Sequence, residues 1–340
     1  MIRGSVTVIT AIALLALATG GSGAAGVGAE SNSDIYSISI DGTDLQRLTE
    51  TPDSEEDLSR SPDGSRLAYY ATGDGRMYSL YVSNADGTEP RRLAPFMRTV
   101  DFREPPVWSP DGRRIAYARG FGCGEVICDR QEVWVTNAFS GQSRRLAKSA
   151  VHPAWSATRL AYTRARLITI GREPAYRLGV VLARVDGSRP QMLVRRGEGP
   201  SWSPSGRFLA YRGFDGYGPT RVFRIRSDGA QRRRLQSPFD PVAAAWSPSG
   251  RHIAIVGGTL PTVYVVEANG RRLRNFGRID LDSEHGLSWS PDGRRLAWPR
   301  GKRIFVQAVV GGPRRTISVG KEVLGVVWSA DGRRLFFVAA

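Results

Sequence analysis

Apolar and polar positions alternate in short runs along most of the chain, and Gly-containing turns separate the runs. Arg114-Ile115-Ala116-Tyr117 is one such run, and Val263-Tyr264-Val265-Val266 is its β-branched counterpart. A period of two over four to eight residues predicts half-buried strands. Residues 6–18 break the pattern. They form an uncharged, mainly apolar stretch with Arg3 as the only charge ahead of it, and small residues follow at 20–29. This is the layout of a secretory signal peptide. It is shorter than the roughly 20 residues a membrane-spanning helix needs. We expect residues 1–29 to be a leader, with Val27-Gly28-Ala29 as the cleavage site and Ala16-Leu17-Ala18 as the alternative, and residues 30–340 to form one exported domain in the periplasm, cell envelope or medium.

The strand-forming part repeats. The string WSPDGRRIAY at 108–117 returns as RSPDGSRLAY (60–69), WSATRLAY (155–162), WSPSGRFLAY (202–211), WSPSGRHIAI (246–255), WSPDGRRLAW (289–298) and WSADGRRLFF (328–337). Its serine stands at 61, 109, 156, 203, 247, 290 and 329. A spacing of about 45 residues with strand-like content indicates four-stranded propeller blades. Within Ser-Pro-Asp-Gly, proline presets φ for the first central turn position and glycine takes the left-handed one. A second hairpin turns at Asp41-Gly42, Asp86-Gly87, Asp186-Gly187, Asp228-Gly229, Asn269-Gly270 and Gly311-Gly312, dipeptides that favour type I′ turns. Each repeat therefore supplies strands a to d. The seventh motif supplies only a and b, while residues 35–48 form an orphan c–d hairpin. Pairing the two gives an all-β, seven-bladed β-propeller of four-stranded antiparallel blades, closed by N-terminal c–d strands against C-terminal a–b strands. Closure removes exposed sheet edges.

The WSPDGRRIAY string and the turns that follow it resemble the WD40-like (PD40) propeller repeat of the periplasmic TolB protein and its relatives, over roughly residues 34–340. The resemblance implies an envelope protein that binds protein partners. That family carries an α/β domain ahead of a six-bladed propeller, whereas seven motifs and no such domain are read here. Similar propellers cap prolyl oligopeptidase-type enzymes, but the G-x-S-x-G nucleophile elbow is absent.

Composition narrows the chemistry. Three His and two Cys argue against a zinc site, and no phosphate loop or calcium loop is present. We expect no catalytic, cofactor or metal residues. Cys123 and Cys128 lie close together in one b–c connection, and in an exported chain they are expected to form a disulfide. Net charge is +16, and of 48 basic residues only Lys148, Lys302 and Lys321 are lysine.

Strand alternation places every a–b and c–d turn on one face of the disc. That face would carry Arg113, Arg114, Arg207, Arg251, Arg294, Arg295, Arg333 and Arg334, together with Arg91, Arg92, Arg144, Arg145, Arg271, Arg272, Arg314 and Arg315. The opposite face collects acids, among them Glu55, Asp57, Asp101, Glu104, Asp240, Asp282 and Glu284, which are the candidates for binding a partner. The leading reading is a monomeric, non-catalytic scaffold for a protein or peptide in the envelope, without specific nucleic-acid binding. One alternative is a cell-wall glycan lyase or hydrolase using Asp101, Glu104, Asp240 and Glu284. Another is an Arg face that meets anionic polymer or lipid headgroups.

Overall fold

The computed structural model describes residues 32–73, 77–98, 104–123, 128–170, 173–214, 219–238, 240–280 and 286–340. The expected leader lies outside them. The described residues form only strands and turns, arranged as seven antiparallel four-stranded blades. Closure is as expected. Strand Asp34–Ser39 pairs with Arg334–Ala339 over six residues, from Asp34 opposite Ala339 to Ser39 opposite Arg334. Gln46–Arg47 and Val323–Trp328 complete that shared blade. We number it blade 1 and count onward along the chain.

The repeated serine explains why the motif recurs. At all seven positions its hydroxyl accepts the backbone N–H that opens strand b, at 2.8–3.1 Å. Ser61, Ser109, Ser290 and Ser329 also donate to the turn aspartate two residues on. These serine hydrogen bonds hold Asp63, Asp111 and Asp331 below the usual carboxylate range.

At its Asp-Gly and Asn-Gly turns the second hairpin differs from expectation. Gly42, Gly87, Gly187 and Gly229 have positive φ, but the aspartates before them do not. The bonds Gly42 N–H to Ser39 O and Ser39 N–H to Thr43 O describe a type I turn followed by a left-handed glycine bulge. The aspartate favours this form, because its carboxylate accepts the N–H two residues on, as in Asp41 to Thr43, Asp86 to Thr88 and Asp228 to Ala230.

Adjacent blades are locked by two repeating devices. On strand a, the motif tryptophan packs against apolar residues of the preceding blade. Trp155 lies with Ala116, Val133 and Val135, and Trp202 with Ala161, Val180 and Leu182. Its indole N–H reaches a carbonyl on the preceding strand a: Trp155 to Val107, Trp202 to Ala154, Trp289 to Ala245 and Trp328 to Ser288. Arg60, which replaces tryptophan in blade 2, donates from Nε to Trp328 O at 2.8 Å, so the polar half of the lock survives.

Toward the turn face, arginines hold the carbonyls of the next blade's c–d turn. Arg91 bonds Ala138 O, Arg144 bonds Asp186 O, Arg159 bonds Ser227 O, Arg224 bonds Ala268 O, Arg274 bonds Val309 O and Arg315 bonds Ile40 O. Six of the seven blade junctions carry such a staple. Several arginines expected on an open charged face are therefore structural.

Candidate functional site

The a strands line a central channel. A cavity of about 450 Å³ is walled by Arg60, Glu104, Trp108, Pro200, Ala244 and Leu287, contributed by blades 2, 3, 5, 6 and 7. A second cavity of about 400 Å³ lies beside it between blades 2, 7 and 1, with Asp57, Leu287 and Val326 in its wall.

Strand a is not regular at the channel mouth. In blades 2, 4, 5, 6 and 1 its pairing slips by a residue: between Glu56 and Ser59, Val151 and Ala154, Glu198 and Ser201, Pro241 and Ala243, and Val323 and Gly325. Asp57, His152 and Gly199 occupy this slip three residues before the motif Trp or Arg, each with positive φ. Such backbone costs about 1–3 kcal/mol in a non-glycine residue and re-aims its side chain. One residue earlier stand Glu56, Glu104 and Glu198. The two positions place acids from blades 2, 3 and 5 around one opening.

Their partners are specific. His152 is only 3% exposed, with Nε2 3.9 Å from Glu104 Oε1. Its Nδ1 shares a 3.0 Å hydrogen bond with Thr163 Oγ1, which also accepts the Gly199 N–H. Arg212, at the mouth end of strand b in blade 5, lies 3.5 Å from Glu198 Oε2. Burial pushes Glu104 up to about 7; the Arg212 charge opposes this, while Glu198 and Asp57 add to it. The site thus sets one carboxyl near neutrality between a buried imidazole and a guanidinium.

The expected acids do not all meet there. Asp57 and Glu104 do. Glu55 points inward: it is 1% exposed, accepts the Thr49 and Thr51 hydroxyls, and is pushed up to about 7 by burial. Asp240 is exposed ahead of strand Pro241–Trp246. Asp101, Asp282 and Glu284 lie outside the described residues. Glu198, Arg212 and His152, which charge and strand alternation do not single out, complete the site. Counting three and four residues back from the motif Trp brings Glu198 and His152 into register with Asp57 and Glu104.

Two b–c connections are extended by paired strands. Arg159–Ile170 and Glu173–Arg184 form a hairpin of two twelve-residue strands on blade 4. On blade 3, Arg114–Cys123 and Cys128–Asn137 pair as far as Cys123 opposite Cys128, a backbone register compatible with the expected disulfide. Among the described residues no group of three or more His, Cys, Asp or Glu could hold a metal ion, and no helix is long and apolar enough to cross a membrane.

No family model matches the sequence. Among curated proteins, an uncharacterized peptidase, YuxL, of Bacillus subtilis is 38% identical over 72 residues, 21% of this chain and 10% of that protein. The Tol-Pal system protein TolB of Chromobacterium violaceum is 36% identical over 83 residues, 24% of this chain and 17% of its own length. The matches thus span under a fifth of either relative. Solved structures match far more of the chain at low identity. Oligogalacturonate lyase from Vibrio parahaemolyticus has a TM-score of 0.63 at 11% identity, covering 91% of this chain and 97% of that one. TolB from Acinetobacter baumannii has a TM-score of 0.53 at 16% identity, covering 83% and 62%. The repeat-length matches to TolB and the shared architecture agree with the blade-by-blade reading: the chain is a TolB-like β-propeller.

Proposed function

We propose that the chain is an exported, non-catalytic scaffold that binds a protein or peptide partner of the cell envelope at the channel mouth. One observation carries this reading. Asp57, Glu104 and Glu198, from three blades, surround Arg212 and His152 at one opening of a protein whose net charge is +16. An acidic patch with one cation inside it suits a segment bearing basic and hydrogen-bonding groups. Export follows from the apolar leader. The test is capture of envelope proteins on the immobilised protein, beside a variant carrying Asp57→Lys, Glu104→Lys and Glu198→Lys. Proteins retained by wild type and lost from the variant support the reading. An identical captured set overturns it.

A second reading rests on the Glu104 carboxyl, pushed up to about 7 within reach of His152 and Arg212. A group near neutrality can act as general acid or base, which suits a glycan lyase or hydrolase. Turnover of cell-wall glycan that disappears in Glu104→Gln would favour it over the scaffold.

A further inference from the structure

The Gly-Arg-Arg of the motif divides its two arginines between different tasks. The second stays in the protein. Arg114 lies 5.2 Å over the Trp155 ring and Arg295 4.6 Å over Trp328, each the tryptophan of the next blade. Arg334, whose next blade offers Arg60 instead, turns to Asp44 and Ser37.

The first arginine points out. Arg207, Arg251, Arg294 and Arg333 are all exposed, on the consecutive blades 5, 6, 7 and 1. Their backbone N–H groups are fixed to Ser205, Ser249, Asp292 and Asp331. Among the described residues, none of the four guanidinium groups has a hydrogen-bond or ion-pair partner.

The four turns touch. A methyl on Gly250 would contact Pro204 at 3.6 Å, one on Gly293 would meet Ser249 N at 2.5 Å, and one on Gly332 would contact Pro291 at 3.6 Å. Each arginine directly follows the glycine of its turn, so the four form one continuous arc around the mouth opposite the acidic site. In blades 5 and 6 the turn aspartate is replaced by Ser205 and Ser249, so no carboxylate accompanies Arg207 and Arg251 in the turn. In blades 7 and 1, Asp292 and Asp331 bond the motif serine and the arginine N–H inside the turn.

We propose that this arc is a docking track for a linear phosphate polymer. Exposed ion pairs contribute little singly. Neighbouring turns lie within the roughly 8 Å over which charges act at physiological salt, so their fields add. A small anion would reach one turn, whereas a chain laid along the arc meets four guanidinium forks suited to phosphate oxygens. High linear charge density adds counterion release as the driving force.

The test is binding of long-chain linear polyphosphate to the purified protein across a salt series. Two charge-matched variants are compared with wild type: Arg207, Arg251, Arg294 and Arg333 to Glu, and Arg177, Arg195, Arg278 and Arg303 to Glu, the latter exposed toward the opposite face. The arc variant should bind about tenfold or more weakly, with a flatter salt dependence. The opposite-face variant should stay within about threefold of wild type. The same four arc positions changed to Ala, with thermal unfolding as a control, give the same ranking without reversed charge. Equal loss in the arc and opposite-face variants, no loss in either, or tighter binding to phosphatidylglycerol vesicles than to polyphosphate overturns the proposal.

Discussion

The turn face and the channel-mouth face are made by the two ends of the same strands, yet they repeat differently. On the turn face the chemistry is nearly identical blade after blade. A serine accepts the opening N–H of strand b, a glycine leans on the neighbouring turn, and an arginine reaches a carbonyl of the next blade. At the mouth the same register positions hold Asp57, Pro105, His152, Gly199, Ala243, Gly286 and Gly325. Repetition marks what holds the ring together. Departure from repetition, where the backbone also leaves the regular strand, marks where recognition is expected.

The comparison breaks most severely if the ring opens. Removing residues 32–50 deletes strands Asp34–Ser39 and Gln46–Arg47 and exposes Arg334–Ala339 as an unpaired edge. We expect aggregation or loss of a cooperative melt. A truncated protein as stable as the full chain would show that closure matters little.

The tryptophan lock comes next. Trp328 is 1% exposed and bonded to Ser288 O, and Trp328→Ala should cost about 3–5 kcal/mol in denaturant unfolding. Trp134, half-buried on strand c and bonded to Glu132, should cost less when changed to alanine. Equal costs would mean that position in the repeat does not set the energetics.

The arginine staple should be smaller. Arg274→Ala removes the bond to Val309 O and should cost about 1 kcal/mol, with Arg274→Lys recovering only part of it. Full recovery by lysine would indicate that charge, rather than the guanidinium fork, holds the turn.

A pH-dependent effect sharpens the mouth side. Burial raises Glu104 from 4.5 to about 7, so the folded protein binds this proton more tightly than the unfolded chain. Its contribution to stability is therefore present at low pH and lost as pH rises from about 4.5 to about 7. Glu104→Gln should gain relative to wild type between pH 5 and pH 8, read as a difference in melting temperature. A difference that does not change with pH would place the Glu104 carboxyl in water.

The blade count was legible because the serine-turn motif is copied seven times, and the closing strands because the half-blades at the two ends complement each other. The site was only half legible. Asp57 and Glu104 were visible as acids on the correct face, but Glu55 on that face folds inward onto Thr49 and Thr51, and alternation alone does not reveal this. His152 and Arg212 join the site through a strand slip and through the far end of another blade's hairpin. Neither leaves a mark in the spacing unless the repeats are aligned on the tryptophan. At the Asp-Gly hairpins type I turns replaced the expected type I′ turns because the aspartate side chain, and not only the glycine, sets the hairpin.

The claim that the two faces do different work is tested most directly by envelope capture on three matched surfaces: wild type, the arc variant at Arg207, Arg251, Arg294 and Arg333, and the mouth variant at Asp57, Glu104 and Glu198. The account predicts that the arc variant retains the proteins captured by wild type and that the mouth variant loses them. Capture lost from the arc variant and kept by the mouth variant would contradict it.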